Sequence, residues 1–249
     1  KSYLLLFIIP LLLIGGCAEQ VTEEEPGITG PTDTIDEPQE VVKGEGRAVF
    51  GITDVAANME SISSVIVTID QIEVHNSEEG WVTITETPQT FDLMELNSEN
   101  AIQLLADLKL KEGTYQQFRL LLSNVIVRDS GGQKNAKLPS GEVKIVGDLN
   151  ISKDSTSTAV FDFKAEDSLH ITGSGKYIFA PVVKLETRED ASVDVQRDIS
   201  GDKVQISRGK IITNVEVGMD INGNVGVGLK IPRDKKLSID ADSKITIVI

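Results

Sequence analysis

The sequence predicts an all-β protein: an antiparallel β-sandwich, immunoglobulin-like or transthyretin-like, with one short helix and a C-terminal β-hairpin extension. Three observations predict it. Short runs alternate apolar and polar residues, as in Ala48, Phe50 and Ile52. Clusters of Gly, Asn, Asp and Ser separate those runs at strand-like intervals. A composition of 40% apolar residues over 249 positions supplies a core without disulfides, since Cys17 is the only cysteine.

The chain opens with Lys1-Ser2-Tyr3, an apolar run from Leu4 to Ile14, and Gly15-Gly16-Cys17. A membrane-crossing helix takes about 20 apolar residues. This run is shorter and Pro10 interrupts it, so it reads as a secretory signal peptide over residues 1–16. Ile14-Gly15-Gly16-Cys17 resembles the lipobox of prokaryotic lipoproteins. The resemblance implies that Cys17 is lipidated and becomes the mature N-terminus. A single acyl chain anchors only marginally, at about 0.8 kcal/mol per buried methylene, whereas the implied diacylglyceryl group supplies two chains. The chain is therefore expected to be exported and anchored by lipid at the extracytoplasmic face of a membrane.

Residues 17–45 continue as an acidic tether. Glu19, Glu23, Glu24 and Glu25 lead it, Pro26, Pro31 and Pro38 punctuate it, and no Lys or Arg occurs between Ala18 and Val42. Such a composition buries too little apolar surface to offset its ordering entropy. As a flexible chain it would span about 30 Å.

Residues 46–188 read as the sandwich domain. Val65, Val67 and Ile69 alternate, then Ile72 and Val74 continue in the opposite phase, which predicts a bulge. Trp81 to Thr85 follows the turn residues 77–80. Phe118, Leu120 and Leu122 alternate, as do Val143 and Ile145, Ala159, Phe161 and Phe163, and Tyr177 and Phe179. Ala101, Leu104, Leu105 and Leu108 instead have helical spacing behind Asn97 or Ser98, and predict the short helix. A composition shift at 187–190 marks where residues 189–249 begin, as a C-terminal extension or subdomain. There, Asn222-Gly223 sits between alternating runs and predicts a hairpin whose two turn residues both have positive φ. Residues 237–249 add one or two more strands.

Gly80-Trp81-Val82, Phe91-Asp92-Leu93, Gly113-Thr114-Tyr115, Arg119-Leu120, Leu138-Pro139-Ser140-Gly141, Phe161-Asp162-Phe163, Gly175-Lys176-Tyr177 and Pro181-Val182 occur in one order. That ordered set resembles the prokaryotic family known as domain of unknown function 4382. Its members often follow a lipoprotein signal, which agrees with Cys17. Where the family pattern often has a Lys before the last Pro, this chain has Ala180, and no role is carried to that position. The family implies a domain and a location, and no chemistry. Arg119 and Asp162, charged residues inside apolar strands, face solvent or pair with each other; solvent is the usual choice on a strand.

Net charge is −15, from 39 acidic and 24 basic residues, which disfavours nucleic acid and anionic lipid headgroups as partners. The two histidines, His75 and His170, are far apart, and no Gly-x-Ser-x-Gly or zinc motif accompanies them; each reads as a surface or edge-strand residue. Gly173-Ser174-Gly175-Lys176 lacks the rest of a phosphate loop. Asp220 to Asn224 begins like a calcium loop but has Val225 at the obligatory glycine. Calcium binding by Asp148, Asp154, Asp234, Asp240 and Asp242 stays open as a weak reading. Aromatic content is 4%, so Trp81 and Tyr115 are the weak candidates for a ligand platform. The chain is expected to be a non-catalytic, surface-exposed binding or envelope-structural module without cofactor. Its expected partners are the membrane and a glycan or envelope protein. The rivals are an extracytoplasmic enzyme or enzyme subunit using carboxylates, and a calcium-stabilised adhesion module.

Overall fold

Alternating apolar residues place two sheets face to face. The structure is a computed structural model that describes residues 43–55, 59 and 61–248. The expected leader, Cys17 and most of the tether lie outside the described residues.

The first sheet takes β1 (Glu45–Thr53), β5 (Ile102–Lys111), β9 (Thr156–Phe163), β12 (Val182–Gln196), β13 (Lys203–Met219) and β14 (Val225–Val227), in the order β12-β9-β1-β5-β13-β14. The second takes β2 (Ile62–Asn76), β3 (Gly80–Thr85), β6 (Gly113–Asp129), β7 (Gly132–Lys137), β10 (Leu169–Ile171) and β11 (Tyr177–Phe179), in the order β10-β11-β7-β6-β2-β3. Off that path, β4 (Gln89–Asp92) pairs β2 and β8 (Glu142–Ile151) pairs β6. A separate two-stranded sheet joins β15 (Lys236–Ile239) and β16 (Ile245–Val248). Two short helices, α1 (Leu93–Glu99) and α2 (Ala165–Ser168), complete the described elements. Neither is long and apolar enough to cross a membrane.

The all-β sandwich of the sequence reading is present. Its pairings are antiparallel except β1 with β9 and β7 with β11, which are parallel. Parallel neighbours need a long crossover, and here the intervening chain runs through the other sheet. The core lies between the sheets: Phe50, Ile52, Phe161, Phe163 and Leu185 from one, Val67, Ile72, Phe118, Leu120 and Ile145 from the other. Phe118 meets Phe161 edge to face at 5.9 Å, a favoured aromatic geometry.

The phase slip in β2 is observed, with register shifts against β6 between Thr68 and Gln71. Two local expectations are corrected. The expected helix over Ala101 to Leu108 is β5, because Ala106, Leu108 and Leu110 also alternate and the backbone satisfies its hydrogen bonds against β1. Helix α1 lies upstream; Asp92 accepts the Met94 N–H at 3.1 Å as N-cap, and Asn100 closes it in the left-handed region. At Asn222-Gly223 only Gly223 has positive φ, at 84°. Gly223 N–H donates to Asp220 O, and Asp220 N–H to Asn224 O. This is a three-residue hairpin loop with a left-handed Gly, held by the Asp220 carboxylate accepting from the Asn222 and Asn224 N–H groups. Asp240 caps the β15–β16 turn in the same way, with Ser243 in the left-handed position.

The composition shift at 187–190 coincides with a bend inside β12. Between Thr187 and Val193 the β12–β13 ladder shifts register three times, and Asp190 and Gly209 have positive φ. Beyond the bend the hairpin folds across the first sheet. Its tip pairs with β5 at Lys203↔Gln103 and Val204↔Ile102. β13 thus pairs with both β12 and β5, and the first sheet curls closed on itself.

Candidate functional site

The curl gives the first sheet a second enclosed face. Val49, Thr158 and Val204 are buried there, outside the inter-sheet core. Further along that face a cleft of about 280 Å³ opens. Strand alternation builds it. β12 sends Val183, Leu185 and Thr187 into the core, so Lys184, Glu186 and Arg188 face the cleft. β9 sends Phe161 and Phe163 inward, which leaves Val160 and Asp162 on the cleft face. Ile102 and Ile206 add aliphatic wall, and exposed Val55 sits at the margin. Gly51 packs against Ile102; a Cβ there would stand 2.5 Å from Ile102 Cγ2, so glycine permits that approach.

The cleft's charges fall into two classes. Arg188 is tied to Glu186, with Nε and Nη2 at 2.8 and 2.7 Å from Oε1. Asp162 Oδ1 accepts the Val55 N–H at 3.1 Å. Burial raises the Asp162 pKa, against the Val55 N–H and the charges of Lys164 and Lys184, which lower it. Lys164 itself pairs with Glu216 at 3.2 Å. Asp162 and Lys184 stand opposite one another in the β9–β12 register, yet neither closes an ion pair among the described residues. Two carboxylates therefore line one cleft, but the Glu186 carboxylate is already committed to Arg188.

A second cleft, of about 380 Å³, lies at the opposite sheet's edge between β10 and the β15 region. His170 lines it, buried, with Nε2 lacking a hydrogen-bond partner among the described residues. Burial, then the Arg233 guanidinium, push the His170 pKa below its ordinary value, while Asp167 pulls it the other way. Arg233 is held by Glu166 and Asp167, each at 2.9 Å. Tyr177 at the same cleft donates to Asp129 at 2.7 Å. Burial and that carboxylate push the tyrosine up to about 12. Lys134 and Tyr177 hold Asp129 down at about 2. Ser61 lines the same cleft, but among the described residues it makes no hydrogen bond to His170 Nε2.

The residues predicted from sequence are dispersed. Tyr115 is fully buried and donates to Lys111 O at 3.2 Å. Trp81 is half-buried, with the Arg119 guanidinium 3.9 Å above its ring and His75 edge-on at 5.1 Å. Arg119 pairs with Glu73 at 2.9 Å and Glu142 at 3.5 Å, not with Asp162. Trp81 and Tyr115 therefore do not form one exposed platform. His75 lies on β2, flanked by β3 and β6, whereas His170 is on an edge strand but buried. Asp148 sits on β8, Asp154 in the β8–β9 turn, Asp234 beside Lys235, and Asp240 and Asp242 in one hairpin loop. No group of three or more metal-ligating side chains assembles among the described residues. Gly173 to Lys176 is the turn into β11. Lys184, Glu186 and Arg188 were missed as cleft residues. Their signal was the alternation of Val183, Leu185 and Thr187 with three charged residues.

The sequence model of one family, described as a domain of unknown function (DUF4382), matches residues 45–181. No curated protein and no solved structure matches the chain.

Proposed function

The chain belongs to the DUF4382 family, and from that premise we propose that it is a non-catalytic binding module held outside the cytoplasm by a lipid on Cys17. The observation that carries the reading is the closed curl. It encloses a cleft in which Asp162 and Lys184 face each other without closing an ion pair, while the described residues assemble no nucleophile and base around it. Unpaired, half-buried charges cost stability unless a ligand completes them. A binding role gives these charges a use that a scaffold does not.

Two experiments test this. The anchor predicts that Cys17→Ala abolishes labelling by a fatty-acid analogue and releases the chain from membranes; retained labelling sinks the anchor. The module predicts that small molecules raise the melting temperature of the full chain, and that cleft-filling Ile206→Trp removes the shift. Turnover of a hydrolase substrate lost on Asp162→Asn would overturn the non-catalytic reading in favour of a carboxylate enzyme.

A further inference from the structure

We infer that the curl cleft binds a small zwitterion with a branched aliphatic side chain, that is, a free α-amino acid of the leucine, isoleucine or valine kind. This inference rests on the binding-module reading and names the ligand class of its site. Charge decides the first part. With Glu186 and Arg188 neutralising each other, the cleft is left with one acid, Asp162, and one base, Lys184. They face each other across adjacent antiparallel strands, where side-chain roots lie about 5 Å apart. A simple cation would complete Asp162 and repel Lys184. A simple anion would complete Lys184 and repel Asp162. Only a ligand carrying both charges close together completes both, its ammonium at Asp162 and its carboxylate at Lys184.

Size and wall chemistry decide the rest. Pockets for drug-sized ligands run to about 300–1,000 Å³, and this one is about 280 Å³. The ligand is therefore small. The apolar wall is Ile102, Val160 and Ile206, with no aromatic ring. An aliphatic wall suits a branched alkyl chain and offers no stacking surface to a sugar or nucleobase. Next inward from Val160 on the same face of β9, Thr158 is 1% exposed and its Oγ1 has no hydrogen-bond partner among the described residues. This orphan polar group shows that the described residues alone do not satisfy the curl's interior.

The test is calorimetric titration of the full chain with L-leucine, 3-methylbutylamine and 4-methylpentanoate, the last two lacking the carboxylate and the ammonium respectively. L-leucine should bind saturably, and each analogue should bind at least about tenfold more weakly, because it strands one charge. Asp162→Asn should weaken leucine and the amine but leave the carboxylate unchanged. Lys184→Gln should weaken leucine and the carboxylate but leave the amine unchanged. Both positions are half-buried and outside the core, and the analogue series on the unaltered chain stands whether or not the variants fold. Saturable binding of the amine or the carboxylate at leucine's affinity overturns the zwitterion. Leucine binding indifferent to both substitutions overturns the site. No leucine binding overturns the ligand class alone if other small molecules still stabilise the chain through the cleft; absence of any such stabilisation sinks the module reading as well.

Discussion

Two strand pairs of matching length run through this protein and do different work. β2 and β6 have 15 and 17 residues, and β12 and β13 also have 15 and 17. Along β2–β6, apolar side chains reach the core from one end to the other, from Val65 to Val74 and from Tyr115 to Val127. Along β12–β13 only the half nearest β9 does so, through Val183, Leu185, Val217 and Met219. Past Thr187 the β12 pattern alternates between half-buried and exposed. Equal hydrogen-bonded length therefore does not give equal weight in the fold. Core-facing alternation does, and where it stops the hairpin is free to bend and roof a cleft.

The sharpest way to break this comparison is to cut one large side chain from each region. Phe161→Ala, at the aromatic contact with Phe118, should lose about 3–5 kcal/mol. Ile206→Ser on the roof should lose about 1 kcal/mol or less, as expected of a half-buried site. Urea unfolding of both variants measures the difference. Equal losses would mean that the roof belongs to the core.

The same contrast separates what was legible in the sequence from what was not. Strands that bury one face announce themselves by period: Phe118-Leu120-Leu122 and Phe161-Phe163 were readable because every second side chain is apolar. β5 was misread because Leu104, Leu105 and Leu108 fit a helix as well as a bulged strand. Only the pairing with β1, distant in sequence, decides between them. The cleft was illegible for a related reason. Its residues come from β1, β5, β9, β12 and β13, and the fold-back that joins them depends on register shifts and on two backbone positions, Asp190 and Gly209. No local pattern encodes that closure. Asp162 was visible as a charge inside an apolar strand, but its neighbour Lys184 was not visible as its counterpart.

Gly209 tests the bend itself. Its φ of 128° is one that side chains rarely adopt, and a Cβ would stand 3.1 Å from Ala191 Cα and Arg188 Cβ. Gly209→Val should cost about 1–3 kcal/mol in the hairpin. Hydrogen exchange should show Lys203 and Val204 amides losing protection while β2 amides keep theirs. Uniform loss across both sheets would show that the hairpin and the sandwich open as one unit.

A smaller effect distinguishes the two clefts by pH. His170 is buried among Arg233, Lys235, Glu166, Asp167 and Tyr177, and its pKa is lowered, by burial first and Arg233 second. A histidine whose folded pKa is depressed favours the neutral form in the fold. Its contribution is complete above the unfolded value, near 6.5. It declines as pH falls below that value and levels off beneath the folded pKa. Stability should therefore drop on acidification below 6.5, and His170→Asn should flatten that part of the profile. A wild-type profile that His170→Asn leaves unchanged would show that the imidazole takes up its proton equally in the folded and unfolded states.

The smallest expected effects compare one ion pair from each region. Arg119–Glu73, at 2.9 Å, is mostly covered: the side chains are 25% and 14% exposed, and the guanidinium also lies over Trp81. Lys203–Glu99, also at 2.9 Å, is 30% and 40% exposed and ties the hairpin tip to α1. Similar distance does not mean similar energy, because water screens the exposed pair and the flexible lysine loses rotamer freedom when held. Double-mutant cycles should give a coupling of about 1 kcal/mol for Arg119–Glu73 and a smaller one for Lys203–Glu99. Raising salt should shrink the second coupling more than the first. A larger coupling at the tip would mean that charge, and not the two backbone pairings to β5, holds the curl shut.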